Sequence, residues 1–242
     1  MKIAIIGMGT MGTAIQQKLS GGDFEVIGLD REDDKSTVST AEVIILAVKP
    51  QSFGEVAEEL KAHIDKQLVI SIMAGVSVST LISRLGTKRI VRTMPNLALT
   101  TGQSLTAWHA KLNDEDIKMA ERLISAWGSA LRLENEEQFH AFTALAGSGP
   151  AYFFQLAYLL ELAAFEQGFS QEQARTISLQ TFRGAASVLS DDEISCEALV
   201  KRVASRGGTT EVALAVFERH SMHTILNEAV AAAAERSVEL GH

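Results

Sequence analysis

Lys2-Ile3-Ala4-Ile5-Ile6-Gly7-Met8-Gly9-Thr10-Met11-Gly12 opens the chain and decides its fold. A short apolar block runs into three glycines spaced G-x-G-x-x-G, and the apolar spacing from Met11 to Leu19 then becomes helical. In a strand–turn–helix unit the first glycine permits a tight turn, and the second lets main chain approach a pyrophosphate. The third lets the helix lie close to the strand. The helix start then faces phosphates with unpaired N–H groups and the positive end of its dipole. Ile6, Gly7, Met8, Gly9, Thr10, Met11 and Gly12 are therefore expected to contact a dinucleotide.

Outward from this stretch the same grammar repeats. Phe24–Leu29, Val43–Val48, Leu68–Ile72 and Arg89–Thr93 are compact β-branched blocks, as for strands buried on both faces. Between them, Phe53–His63 and Val78–Leu85 have helical spacing; Asp114–Trp127 follows as an amphipathic helix, with a short strand at Ala130–Leu133. Alternating β and α elements imply a parallel sheet with helices on both faces. Residues 1–146 are thus read as a Rossmann-type, doubly wound α/β domain. From 147 to 242 the β-branched blocks vanish, and helices are expected at 150–167, 171–189, 195–203, 209–218 and 222–239. Ser170 is placed to cap the second of these, and Gly168 to end the first. In the first, Phe153, Phe154, Leu156, Tyr158, Leu159 and Leu160 lie nearly all round the helix. Such a helix must be covered, either as the core of a small helical domain or as a subunit interface.

The chain has 242 residues with a net charge of −8 and one cysteine, Cys196. The acidic balance argues against nucleic acid and anionic membrane as partners. No apolar stretch reaches spanning length without a charge, and the single cysteine suits a reducing cytoplasm. None of the six histidines has metal-ligand spacing with Cys, Asp or Glu, so no metal is expected. His140 and Glu136 share an i, i+4 spacing and read as a surface pair.

The end of the second strand bears on the coenzyme. Asp30 stands eighteen residues after Gly12, close to the spacing at which an acid bonds a ribose 2′-hydroxyl. That favours NAD(H) over NADP(H), although Arg31 beside it offers a grip for a 2′-phosphate, and Asp30–Asp34 can equally be a solvated charged turn. Ala47-Val48-Lys49-Pro50 and Ile72-Met73-Ala74-Gly75 end the third and fourth strands, where a doubly wound sheet leaves its ligand crevice. Lys49 is read as the only lysine near that crevice and is assigned to coenzyme contact.

Further motifs follow in order: Ser71-Ile72-Met73-Ala74-Gly75-Val76, Arg92-Thr93-Met94-Pro95-Asn96, Ala146-Gly147-Ser148-Gly149-Pro150-Ala151-Tyr152 and Gly207-Gly208-Thr209-Thr210. With the glycine fingerprint, these make the sequence resemble the pyrroline-5-carboxylate reductase family over nearly its whole length. The resemblance implies a helical dimerisation domain after the dinucleotide domain, a homodimer or larger homo-oligomer, and reduction of 1-pyrroline-5-carboxylate to L-proline with NADH or NADPH. It adds Met73, Ala74 and Asn96 to the coenzyme-contact residues Asp30, Ala47, Val48, Lys49 and Pro50. For the imino acid it implies Ser205, Gly207, Gly208, Thr209 and Thr210, with Thr210 beside the imine nitrogen and catalytic, and Glu136 near the pocket. Amide N–H groups at the start of the helix after 208 suit the substrate carboxylate, though Thr209 or Thr210 can also simply cap that helix.

Three departures from the family pattern stand out: Thr10 where asparagine is usual, Leu97-Ala98-Leu99 where Thr-Pro-Ala is usual, and Arg206 where proline is usual. Two rival readings accompany them. One is a related imine or 3-hydroxy acid dehydrogenase, against which stands the lack of lysine or aspartate in Tyr152–Phe165. The other is a reductase-like regulatory protein that binds dinucleotide without turnover.

Overall fold

The computed structural model describes residues 1–190 and 194–240. Two compact units emerge, Met1–Pro150 with Ala231–His242, and Ala151–Val230. His242, counted above among the histidines, lies outside the described residues.

The first unit is built on seven strands: β1 (Lys2–Ile6), β2 (Glu25–Leu29), β3 (Val43–Leu46), β4 (Leu68–Ser71), β5 (Ile90–Met94), β6 (Ser104–His109) and β7 (Gly128–Arg132). They lie in the order β2-β1-β3-β4-β5-β6-β7. β1 to β5 are all parallel, β6 runs antiparallel to β5, and β7 is parallel to β6. Helices α1 (Thr10–Leu19), α2 (Phe53–Lys61), α3 (Val78–Leu85) and α4 (Asp114–Ser125) cover the two faces.

The strand alternation decides which face each side chain joins. Ile3 and Ile5 of β1 pack with Ile15 and Leu19 of α1, Leu123 and Ile124 of α4, Trp108 and Trp127. Ala4 and Ile6 point the other way, joining Phe53, Ala57 and Leu60 of α2 and Leu81 and Leu85 of α3. Each fully buried aliphatic side chain contributes about 1.5–3 kcal/mol of transfer free energy before entropy is charged against it. A sheet apolar on both faces is stable only as the middle layer, which is why the β-branched blocks lack polar alternation. Capping fixes the helix starts. The Ser77 side chain accepts from the Thr80 amide, and that of Asn113 from the Asp116 amide. Asp116, 3% exposed, is paired by Arg89, whose guanidinium is held above its ordinary pKa chiefly by that hydrogen bond.

The strand and helix readings hold to within a few residues. The exception is β6, foreshadowed only by a reading of His109 as strand or loop: it reverses direction against β5 and separates β7, which overlaps the expected Ala130–Leu133, from the parallel set. A 3₁₀ turn, Lys35–Thr40, fills the connection between β2 and β3, where a full helix would give a longer crossover. A short helix α5 (Gln138–Phe142) runs into a π-turn at Thr143–Gly147. Glu136 precedes α5, so the expected Glu136–His140 helix pair does not form. Glu136 takes Arg92 at 2.8 Å and the Val78 amide at 2.9 Å, while the His140 ring bonds Ser237 Oγ at 3.1 Å.

The helical part comprises α6 (Gly149–Glu166), α7 (Gln171–Leu189), α8 (Cys196–Val203), α9 (Thr209–Arg219) and α10 (Met222–Glu239). Ser170 and Gln173 form a capping box at the start of α7. Gly168, at φ +93°, ends the preceding helix. Ser178 Oγ donates to the Ala157 carbonyl at 2.6 Å and ties α7 to α6. Beyond such ties the unit covers little of its own apolar surface. Phe153 and Phe154 are 64% and 61% exposed, and Tyr158, Leu159 and Phe165 are exposed as well. The single chain therefore does not bury α6 as a core helix, one of the two readings open from sequence. Among the described residues no helix is long and apolar enough to cross a membrane.

Candidate functional site

The carboxyl ends of β1, β2 and β3 meet at one rim, and β1 and β3 flank the point where strand order reverses. Ligands of open α/β sheets lie in the crevice at that point. A cleft of about 250 Å³ occupies it, lined among others by Ile6, Gly7, Gly9, Asp30, Arg31, Lys35, Ala47, Val48 and Lys49.

The three glycines have separable physical roles. Gly7 sits at φ +96°, its amide donates to the Leu29 carbonyl at 2.8 Å, and an added Cβ would meet the Ala47 carbonyl oxygen at 2.9 Å. At Gly12 an added Cβ would lie 2.0 Å from the Gly7 carbonyl oxygen, so this position holds helix and turn in contact. Gly9 differs: nothing lies within 4 Å of the space its Cβ would fill. It caps α1 without a side-chain bond, and the first turn of α1 carries no acid. The amides of Thr10, Met11 and Gly12 precede the first intrahelical bond, Thr13 to Gly9 at 2.9 Å. An open flank, unspent amides and no competing carboxylate fit the pyrophosphate of a dinucleotide.

The other expected coenzyme residues divide. Asp30, Ala47, Val48 and Lys49 join Ile6, Gly7 and Gly9 in the cleft. Met8 lies over Gly28, where a Cβ would strike its sulfur at 2.6 Å, and Met11 packs against the first core cluster. Pro50 is exposed at the start of a 3₁₀ turn, and Ala74 is exposed after β4. Met73 is buried in the second core cluster, its amide on Ser71 Oγ at 3.3 Å. Asn96 acts as a bracket: its side chain accepts from the Ala98 amide at 3.1 Å and donates to the Ala146 carbonyl at 2.9 Å. That bond joins the end of β5 to the π-turn.

Lys35 is the residue that sequence reasoning missed. Lys49 is not the only lysine at the crevice, because Lys35 also lines it. Lys35 is 7% exposed, and its ammonium donates to the carbonyls of Asp30 (2.6 Å), Arg31 (3.0 Å) and Asp33 (2.7 Å). It stands at the end of the charged run Asp30–Lys35, which reads as a solvated turn, so only the fold discloses the burial.

The Ser205–Thr210 loop belongs to the helical unit. Gly207 takes φ +73°, and its amide donates to Glu211 Oε2 at 2.7 Å. The Gly208 amide donates to the Ser205 carbonyl at 2.9 Å. Both glycine amides are thus engaged, that of Gly208 within the loop and that of Gly207 by a side chain of the first turn of α9. The amides of Thr209, Thr210 and Glu211 precede the first α9 bond, Val212 to Gly208 at 3.4 Å. Gly208 occupies the N-cap and has no side chain to accept from a first-turn amide, so neither threonine stands at the capping position. A second cleft, in the first unit, is bordered by Gly75, Ser77, Arg92, Glu136, Glu137, His140 and Val238. Arg92 stacks over Phe139 there, 4.3 Å from the ring centre. Among the described residues no His, Cys, Asp and Glu cluster could hold a metal ion.

Comparison with known proteins converges on one group. The family profile described as pyrroline-5-carboxylate reductase dimerisation matches residues 136–240. A second, described as NADP oxidoreductase, coenzyme F420-dependent, matches residues 28–75. The pyrroline-5-carboxylate reductase of Aquifex aeolicus is 34% identical, with 99% of this chain and 97% of that protein covered. That of Pseudomonas aeruginosa is 38% identical, covering 94% and 84%. Among solved structures, a pyrroline-5-carboxylate reductase from Coxiella burnetii superposes at a TM-score of 0.90 with 32% identity, covering 98% and 97%. A Plasmodium falciparum pyrroline carboxylate reductase with NADP bound superposes at 0.88 with 25% identity, covering 100% and 98%.

Proposed function

The chain belongs to the pyrroline-5-carboxylate reductase family of NAD(P)-dependent oxidoreductases, and from that premise we propose that it reduces 1-pyrroline-5-carboxylate to L-proline. The observation that carries this reading is the cleft at the ends of β1 to β3. Its bare Gly9 flank and clamped Gly12 suit a dinucleotide pyrophosphate. Residues 1–146 serve as the dinucleotide-binding domain and 147–242 as the dimerisation and substrate domain. The exposed aromatic and aliphatic faces of α6, together with the dimerisation profile, support a homodimer or larger homo-oligomer. The working location is the cytoplasm, consistent with a single, unpaired cysteine.

A reduced nicotinamide, when bound, supplies the hydride that the imine carbon of the substrate accepts. The chain's own residues hold and orient. The turn at 7–12 holds the pyrophosphate, with Met8, Thr10 and Met11 contributing main chain. Asp30 takes the adenosine ribose, and Ala47–Pro50, Met73, Ala74 and Asn96 form the wall. The substrate carboxylate is received by the start of α9, where the amides and hydroxyls of Thr209 and Thr210 are the donors. Ser205, Gly207 and Gly208 shape the loop beside it. The Thr210 hydroxyl hydrogen-bonds the ring nitrogen, orienting the ring and assisting delivery of the solvent proton that makes the imine cationic before hydride transfer. A protonated imine is already electrophilic, so positioning outweighs acid–base work. Glu136 is kept as a substrate-pocket residue on the family likeness; within the first unit its carboxylate braces Arg92 and the Val78 amide.

NADH is the favoured coenzyme, because Asp30 lies in the cleft at the end of β2. Steady-state turnover of pyrroline-5-carboxylate with each reduced coenzyme tests the reading, and Thr210→Ala should lower kcat by about 100-fold. Coenzyme binding with no turnover in the unsubstituted protein would instead mark a regulatory relative.

A further inference from the structure

The turn that follows β2 is held by a buried cation. Lys35 lies under the main chain of residues 30–33 and spends its three N–H donors on three carbonyls, those of Asp30, Arg31 and Asp33. A second tie completes the hold on Asp30, whose amide donates to Asp33 Oδ2 at 2.7 Å. Asp30 is therefore pinned at both main-chain ends, with its carboxylate left at the lining of the cleft. Burying an ammonium costs several kcal/mol unless its donors are satisfied, so the three carbonyls and the lysine require one another. A 2′-phosphate entering this turn would meet a carboxylate and an ammonium with no donor to spare. The other cations lining the cleft are Lys49 and Arg31, and the Arg31 partner Glu55 is exposed and readily exchanged.

We propose that Lys35 is a positioning residue for coenzyme choice. By drawing three main-chain carbonyls onto one ammonium, it fixes Asp30 to receive a ribose 2′-hydroxyl and leaves no N–H donor of its own for a 2′-phosphate. The inference rests on the proposed use of NADH, and it adds the residue that makes Asp30 effective.

The test compares three reduced coenzymes, NADH, its 2′-deoxyadenosine analogue and NADPH, at saturating pyrroline-5-carboxylate. The unsubstituted protein should show a KM for the 2′-deoxy analogue about tenfold above that for NADH. In Lys35→Met that ratio should fall close to one, with kcat changed less than KM. A general loss of structure would raise both KM values together and leave the ratio standing. Lys35→Met could fold poorly, and Asp33→Ala covers that case: it removes the other tie on Asp30 from an exposed position and should shrink the same ratio. If the unsubstituted protein prefers NADH but both variants keep its full discrimination against the 2′-deoxy analogue, the role of Lys35 is overturned while the coenzyme reading stands. If the unsubstituted protein has the lower KM for NADPH, the coenzyme reading falls and this inference with it.

Discussion

The two units treat their apolar side chains in opposite ways. In the first, Ile3, Ile5, Ile44, Ile45 and Leu46 are 0–1% exposed apiece, and helices of the same unit cover them. In the second, α6 carries Phe153, Phe154, Tyr158, Leu159 and Phe165 on surface the single chain leaves open. A sheet closed by its own helices is a finished core. A helix apolar on most sides is half of one, and the dimerisation profile over residues 136–240 supports the proposal that a second copy supplies the other half. The contrast teaches that stability and assembly can be tested apart: the dinucleotide-binding layer is covered by its own helices, while the proposed second copy would make the helical part depend on concentration.

The contrast can be broken from either side. The largest effect is expected at the turn: Gly12→Val drives side-chain atoms into the Gly7 carbonyl, already 2.0 Å from a Cβ. It should abolish dinucleotide binding by fluorescence titration and cost several kcal/mol of stability, above the about 1–3 kcal/mol usual for overpacking. Next comes Phe154→Glu on α6, which should convert the oligomer to monomers in sedimentation velocity and remove activity. Dinucleotide binding by the first unit should persist, and its loss would contradict the separation drawn here. Asp116→Ala leaves Arg89 without its buried acid and should lower stability by about 2–3 kcal/mol in urea unfolding. Oligomer mass should be unchanged.

The smallest effect concerns pH. Hydrogen bonds from the side chain and amide of Ser36 hold Asp34 below the usual carboxylate range. A group with a depressed folded pKa adds stability that is fully present above its unfolded pKa and is lost as pH falls through the folded one. The Asp34 contribution should therefore be intact above about pH 4 and fade below it. Asp34→Asn should flatten that acid limb slightly in a denaturation series, with assembly unaffected.

Much of this was legible before any coordinates. Gly7, Gly9 and Gly12 announce their turn because glycine spacing reports directly on backbone geometry, and the β-branched blocks mark strands buried on both faces. Ser170 and Gly168 mark helix ends for the same local reason. The illegible parts depend on partners far along the chain. Ser104–His109 mixes polar and apolar residues, and it becomes a strand only because β5 and β7 flank it. Glu136 reads as a helix-face partner of His140 until the fold brings Arg92 and Val78 to it. Lys35 looks solvated in Asp30–Lys35, since the three carbonyls that bury it are main-chain atoms without a sequence signature. Of the candidate substrate residues, Thr210 and its neighbours rested on motif likeness. The loop geometry engages both glycine amides and leaves those of Thr209 and Thr210 open, which supports their proposed role as donors.

The reversal of β6 against β5 has a consequence for how the molecule tolerates change. Strand ends that open onto the coenzyme side form a row that stops at Met94, because the next strand arrives from the other direction. The link from β6 to α4, residues 110–113, is thereby sent to the far rim. That link borders a separate cleft with Glu134, Asn135 and Glu136, so residues inserted there should leave dinucleotide binding intact while reporting on whether Glu136 matters to turnover.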